Sequence, residues 1–369
     1  MKIDALDIYL IKSPLIHPWK TAYGEDTDIY SIIVSLTSGS YTGWSEASPL
    51  YGPTYSPECA WGVYYVAKQF LAPLIVGREF TDAAEINSVL SQYKGNPFAK
   101  SVIEVAWWTL ASKMQGKPLH ELLGGTYHQI AVGADFGVQD SIDTLLGLID
   151  GAVANQMPRI KLKAMPGWDL DMLKAVTSTF PHQVFHIDCN SCYSLDDLPL
   201  FREIDKLGLA MIEQPLFHND IIDHAKLQAQ MDTPICLDES ISSPHVARQA
   251  IESGACRYIN LKPGRLGGLY NTLQVNRMCQ EANIGCWVGS MLETALGAGI
   301  CIELASIGNI TYPSDLFPSD CFFAQELTSE RIELAGPGYV LPSRAPGNAY
   351  APEMHVLAER TLEKVHFEN

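Results

Sequence analysis

The stretch RIKLKAMPGWD, Arg159–Asp169, sets Lys161 and Lys163 one residue apart in an apolar run that ends at a Pro-Gly break. Successive side chains of a strand point to opposite faces, so the two ammonium groups share one face and Ile160, Leu162 and Ala164 take the other. Buried ammonium groups without partners are costly, which disfavours a purely structural pair.

Outward from this strand, short β-rich runs alternate with helical ones from about Ile130 onward. The strand candidates are QIAVGADF, RIKLKA, QVFHIDCN, LAMIEQPL, TPICLDES, RYINLKPG and GCWVGSML, and helix patterns such as DLDMLKAVTSTF and SPHVARQAIESG lie between them. That alternation implies a parallel sheet with crossover helices, and closure into a β/α barrel is the economical arrangement. The polar residues at the strand ends are evenly spaced: Lys163 to Asp188, Asp188 to Glu213 and Glu213 to Asp238 are 25 positions each, and Asp238 to Lys262 is 24. Each interval fits one β/α unit. In such a barrel the C-terminal ends of the strands carry the chemistry, so these five side chains are expected to meet at one mouth.

Three carboxylates there would repel one another by about 4 kcal/mol per pair at ~4 Å and an effective dielectric near 20, so positive charge must lie among them. Asp188, Glu213 and Asp238 offer only oxygen, which favours a hard ion such as Mg2+, or Mn2+, over zinc. The plainer reading makes each acid a helix cap or the partner of a loop lysine. Lys262, in INLKPG, is expected to point into the same mouth from four strands further on. Like charges, a metal ion and partial burial would all lower a lysine's affinity for its proton, so the lysines are expected to supply a neutral base. A base and an electrophile around a carboxylate suit removal of the proton on the adjacent carbon.

Composition narrows the classes. The chain has 369 residues, 47% of them hydrophobic and 18% charged, enough for a large core. Its formal charge of -17, from 42 acids against 25 bases, opposes binding to nucleic acid or an anionic membrane. MKIDALDIYLIKSP has charges inside its apolar part and no small-residue cleavage site, and no apolar run reaches the length of a membrane span, so a cytoplasmic location is expected. Nine cysteines sit mostly in apolar segments, which suggests reduced thiols. Cys189 and Cys192 form a lone CxxC without the second pair that a zinc site needs. GRLGG after Lys262 lacks the spacing of a phosphate-binding loop.

Before Ile130 the texture differs. DIYSIIVSLTSGSYTGWSEASP has two β-rich runs around Thr37-Ser38-Gly39-Ser40, a hairpin signal, and three amphipathic helix patterns follow up to LLGGTYHQ.

KLK, DCN, IEQP, LDES, NLKPGRLGG and GSMLET resemble the muconate-lactonising subgroup of the enolase superfamily, and most closely the o-succinylbenzoate synthase and N-succinylamino acid racemase family. The resemblance extends over nearly the whole chain, including YSPECA and KPLHELLGG. It implies an α/β protein: a modified TIM (β/α) barrel over residues 126–319, with an N-terminal α+β capping domain over 1–125 that is completed by the C-terminal segment 320–369. It matches Asp188, Glu213 and Asp238 to metal ligands, Lys163 to the catalytic lysine of the K-x-K motif, Lys161 to the lysine that tunes it, and Lys262 to the lysine on the opposite face.

Asn190 and Glu239 are candidates beside the metal site. Gly289, Ser290, Met291 and Glu293 match the last-strand segment that contacts substrate, with Ser290 in place of a usual Gly and Ala298 where relatives often have Arg. HPWKTAYGED matches a mobile loop over the substrate, which makes Lys20, Thr21 and Tyr23 candidates, together with Tyr51 and Tyr55 in LYGPTYS. A small-molecule carboxylate is the implied partner; the oligomeric state, monomer or homo-oligomer, is left open.

The leading expectation is Mg2+-dependent dehydration of 2-succinyl-6-hydroxy-2,4-cyclohexadiene-1-carboxylate to o-succinylbenzoate. The alternative is racemisation of an N-succinylamino acid or epimerisation of a related acid. A Schiff-base aldolase leaves the acid triad unexplained. A non-catalytic binding barrel would not need the full set of catalytic positions.

Overall fold

The computed structural model describes all 369 residues. Long alternating segments near the N-terminus form β1 (Ala5–Thr21), β2 (Gly24–Ser38) and β3 (Tyr41–Ala47), an antiparallel meander whose β2–β3 turn falls at the expected Gly39-Ser40. The helices Ala83–Leu90 and Pro97–Gln115 pack on it and share its apolar core. The longer one begins with Pro97, whose missing N–H is no loss in a first turn, and stops at Gly116, which takes the left-handed φ of 65°.

The run QIAVGADF, expected as one strand, is two. β4 (Ile130–Ala131) leaves the barrel and β5 (Ala134–Phe136) enters it. The break falls at Gly133, where a side chain would collide with the guanidinium of Arg159. The parallel sheet then continues through β6 (Ile160–Lys163), β7 (Phe185–Asp188), β8 (Ile212–Glu213), β9 (Ile235–Leu237), β10 (Tyr258–Leu261) and β11 (Gly285–Val288), in unbroken spatial order. LAMIEQPL yields only the two residues of β8, because Gln214 turns out of the strand at φ 38° before Pro215. Some crossover helices start at a side-chain cap: Ser141 accepts from Thr144 N, and Ser243 accepts from Val246 N.

Residues 310–315 close the circle without forming a regular strand. Ser314 N donates to Ala131 O and Gly133 N to Ser314 O on one side, while Asp315 N donates to Val288 O on the other. The chain returns through β12 (Tyr339–Val340), which pairs with β4, and β13 (Thr361–Glu368), which adds a fourth strand beside β1. The fold is therefore a modified β/α barrel under an α+β cap that the C-terminal segment completes.

Two buried carboxylates of the cap dock on barrel helices. Glu46 accepts from Thr294 Oγ1 and Gly297 N at the start of helix Ala295–Leu304. Glu104 accepts from Leu269 N and Tyr270 N at the start of helix Leu269–Glu281. Helix N-termini present free N–H groups and partial positive charge, so each acid both satisfies donors and fixes the cap over the mouth. No helix is long and apolar enough to cross a membrane.

Candidate active site

Parallel register places the barrel's charged residues side by side. Asp135 pairs with Lys161, Lys163 with Asp188, and Asp188 with Glu213 across β5 to β8. Inward-facing positions on adjacent strands thus bring acids and bases into one buried layer. Lys161 Nζ lies 2.9 Å from Asp188 Oδ2, 2.9 Å from Glu213 Oε2 and 3.1 Å from Asp315 Oδ2. Lys163 Nζ donates to Asp188 Oδ2 at 2.6 Å. On the far side, Lys262 Nζ and Arg265 Nη2 each stand 2.9 Å from Asp238, which also accepts from Tyr55 Oη at 3.0 Å.

These pairs decide the protonation states. Burial opposes charge on every member, at several kcal/mol per ion. Each direct pair returns roughly 6 kcal/mol at an effective dielectric of 20, and Lys161 has three of them. Pairing wins. Against burial, Lys161 and Lys163 hold Asp188 well below the usual carboxylate range, and Lys262 and Arg265 hold Asp238 low. Lys161, Lys163 and Lys262 are all held above the usual lysine value, again against burial, by the acids beside them. The expectation of a neutral lysine is therefore not met in this state, because the carboxylates contact the ammonium groups directly.

The three acids are turned onto cations rather than gathered around one centre, and no group of three or more His, Cys, Asp or Glu side chains is arranged to hold a metal ion. Their chemistry nevertheless suits a hard cation: all donors are oxygen, they come from neighbouring strands, and they are buried. Glu213 Oε2 receives no directed hydrogen bond although Lys161 Nζ is near, while its Oε1 is fixed by Asn260 Nδ2 at 2.8 Å. Asn190 N donates to Asp188 Oδ1, and Asn190 Nδ2 donates to Glu239 Oε1 at 3.1 Å. Glu239 Oε2 is buried without a donor, and burial pushes this carboxyl well above its usual range.

A small cavity lies between the lysines, lined by Tyr23, Tyr55, Lys163, Asn190, Lys262 and Met291 among others. The cap supplies both tyrosines. Lys262 Nζ sits 4.6 Å from the centre of the Tyr55 ring and 3.2 Å from its hydroxyl. Burial pushes Tyr23 up to about 12. Ser290 also lines the cavity. Glu293 lies behind it, accepting from Ser290 Oγ and Met291 N at 2.7 Å each, and Gly289 backs onto Asn260 with no room for a side chain. Other candidates fall outside: Thr21 Oγ1 donates to Gly24 O within its own turn, Lys20 pairs with Asp140, and Tyr51 is exposed against Tyr30. Ala298 is buried in helix Ala295–Leu304.

Sequence reasoning missed Asp135, Asp315, Arg159 and Arg265. Asp315 binds the fully buried Arg159 as well as Lys161, so it anchors the first lysine of the K-x-K pair. Arg265 donates to Asp238 and Asn260 O. An arginine inside the apolar-looking KPGRLGG turn was the available signal for Arg265. Asp135 extends the strand-end spacing one unit backward from Lys161, at 26 residues. Asp315 had no such signal, because its segment lacks strand texture.

The chain is similar to known proteins over most of its length. Residues 5–124 match the N-terminal domain of mandelate racemase and muconate lactonizing enzyme, and residues 147–355 match the enolase C-terminal domain-like family. The chain belongs to the enolase superfamily. Within that superfamily it is a member of the o-succinylbenzoate synthase and N-succinylamino acid racemase family. It is 36% identical to an N-succinylamino acid racemase of Thermus thermophilus over 90% of each chain. It is also 36% identical to an o-succinylbenzoate synthase of Bacillus subtilis, over 94% of this chain and 93% of that protein. A crystal structure of an enolase-superfamily member from Listeria innocua superposes with a TM-score of 0.95 at 33% identity, covering 100% of this chain and 99% of the other. The chain is thus an enzyme of this superfamily, and the relatives carry two different activities.

Proposed function

We propose that this enzyme removes the proton next to a carboxylate with Lys163, with Lys262 facing the opposite side of the substrate, and that dehydration of 2-succinyl-6-hydroxy-2,4-cyclohexadiene-1-carboxylate to o-succinylbenzoate is its reaction. The observation that carries this reading is the pair of ammonium groups, one ending β6 and one just beyond β10, that line the same small cavity with three strands between them. Members of the superfamily typically use Mg2+. A hard divalent cation on Asp188, Glu213 and Asp238 would supply positive charge to the substrate carboxylate and draw Asp188 away from Lys163.

Once Asp188 no longer accepts from Lys163, burial and the neighbouring Lys161 ammonium both oppose charge on Lys163, which leaves an amine able to take a proton. Lys163 Nζ takes the α-proton, and the electron pair of that C–H bond moves toward the carboxylate. Lys262, still paired with Asp238, presents positive charge to the opposite face of the enolate. Hydroxide then leaves the adjacent carbon with the proton from Lys163, as water. Tyr23 and Tyr55 cover the cavity and limit solvent entry. The Schiff-base alternative is disfavoured, because it gives Asp188, Glu213 and Asp238 no role.

A second reading, racemisation of an N-acylamino acid, has one specific observation in its favour. Asp135 lines the same cavity and its Oδ1 has no hydrogen-bond donor, an acceptor for which the cyclohexadiene acid offers no N–H. Incubating the purified enzyme and Mg2+ with each substrate in deuterated water separates the two. Dehydration releases an aromatic product, whereas racemisation labels Cα and regenerates substrate. Loss of neither reaction in Lys163→Ala would refute the assignment of the base.

A further inference from the structure

A β/α barrel ordinarily fills its interior with layers of branched apolar side chains. One layer below the acids and lysines, on the side away from the mouth, this barrel packs aromatic rings instead. His186 stands two residues before Asp188 on β7 and so points into the same interior. Its fully buried ring meets Trp287 and Tyr312 edge to face, with centroids 5.6 and 5.4 Å away. Nδ1 lies 3.0 Å from Tyr312 Oη, whereas Nε2 has no hydrogen-bond partner. Nε2 faces Glu213 Oε2, which is 3.7 Å away and is itself buried without a directed hydrogen bond. Two orphaned polar atoms thus oppose each other across a gap that a shift of less than about 1 Å closes into a hydrogen bond. Buried polar groups are rarely left unpaired, so this facing is a contact the site is built to make.

We infer that His186 is a positioning residue for Glu213: Tyr312 fixes its tautomer, and its Nε2–H holds Glu213 Oε2 in the orientation that takes up a divalent cation. The inference rests on the metal-dependent reading above and adds to it the residues that orient one ligand. Tyr312 Oη has a single proton to give. When it donates to Nδ1, the ring's own proton lies on Nε2, aimed at Glu213. The opposite tautomer sets a bare Nε2 against a carboxylate oxygen, with no donor between them. Burial, and then the Arg159 and Lys161 cations, oppose charge on the ring and outweigh the pull of Glu213. The other oxygen of Glu213 is already fixed by Asn260 Nδ2 at 2.8 Å. Both oxygens are then held by neutral donors, and each keeps a lone pair for a cation. Lys161 Nζ stands 2.9 Å from Oε2, and a further cation there would compete with the metal for the same oxygen. A neutral imidazole orients the carboxylate without that competition.

The test measures Mg2+ binding by isothermal titration calorimetry, without substrate, in the wild type, His186→Leu, His186→Gln and Tyr312→Phe. His186→Leu is expected to weaken binding roughly tenfold to a hundredfold, the usual effect of removing a group that orients a ligand. His186→Gln, whose amide nitrogen can take the place of Nε2, is expected to recover most of it. Tyr312→Phe keeps the ring packing, loses the hydroxyl, and is expected to weaken binding by a smaller factor. Turnover of His186→Leu should fall further at limiting than at saturating Mg2+. In the wild type, 15N NMR should show His186 with a proton on Nε2 and a bare Nδ1, its signals identified by their absence from His186→Gln. Wild-type affinity in His186→Leu or in Tyr312→Phe, equal weakening in the Leu and Gln variants, or a proton on Nδ1 would overturn the inference while leaving the metal-dependent reading standing. Should His186→Leu fail to fold, the tautomer and Tyr312→Phe decide. A wild type that binds no Mg2+ would overturn both.

Discussion

Lys163 donates to Asp188 Oδ2 across 2.6 Å from the position directly paired with it on the neighbouring strand. Lys163 and its anionic restraint are thus set by the same strand register. In the proposed mechanism, freeing Lys163 from Asp188 converts it from an ion-pair partner into a proton acceptor.

Lys163→Ala and Lys262→Ala are each expected to lower kcat on the cyclohexadiene acid by about 10³-fold, within the usual span for a positioned acid or base. Each removes a cation from a carboxylate that keeps another, Lys161 at Asp188 and Arg265 at Asp238, so the fold should persist. Circular dichroism alongside turnover checks this, and wild-type rates in either variant would contradict the proposal.

Chelation should abolish turnover, and Mg2+ should restore it. At a hundredfold excess over Kd the ion should also add about 2.7 kcal/mol to unfolding, seen as a rise in Tm. Asp188→Asn should lose most of that rise. A Tm indifferent to Mg2+ in the wild type would count against the ligand set.

Asp315→Asn leaves the fully buried Arg159 without its carboxylate and takes one acid from Lys161. Breaking a buried pair from one side costs about 3–5 kcal/mol, so urea unfolding should show a loss of that order. Arg159→Met added to Asp315→Asn should return part of it, because the stranded charge is gone.

Burial pushes Glu104 up to about 7, while the N–H groups of Tyr270, Trp108 and Leu269 hold it back. A carboxyl raised in the folded state binds its proton more tightly there than in the unfolded chain. Stability therefore falls as pH rises from about 4.5 to about 7 and is level above that, by about 3 kcal/mol at 1.36 kcal/mol per unit. Glu104→Gln lacks this slope. The stability advantage of the wild type over Glu104→Gln should shrink across that window, and denaturant titrations at pH 5, 6, 7 and 8 measure it.

The 25-residue spacing of Asp188, Glu213 and Asp238, and the shared face of Lys161 and Lys163, were legible from the chain alone, because strand alternation and the length of a β/α unit are local properties. So were the β2–β3 hairpin and the long cap helix, where turn chemistry and apolar period agree. Tertiary structure alone decided which acid faces which base. The split of QIAVGADF at Gly133, the irregular segment that delivers Asp315, and the descent of Tyr23 and Tyr55 from the cap all depend on contacts between residues distant in sequence. The lysines' charge state was decided in the same way, since Coulomb energy follows distances in space and the sequence holds only the order of the groups.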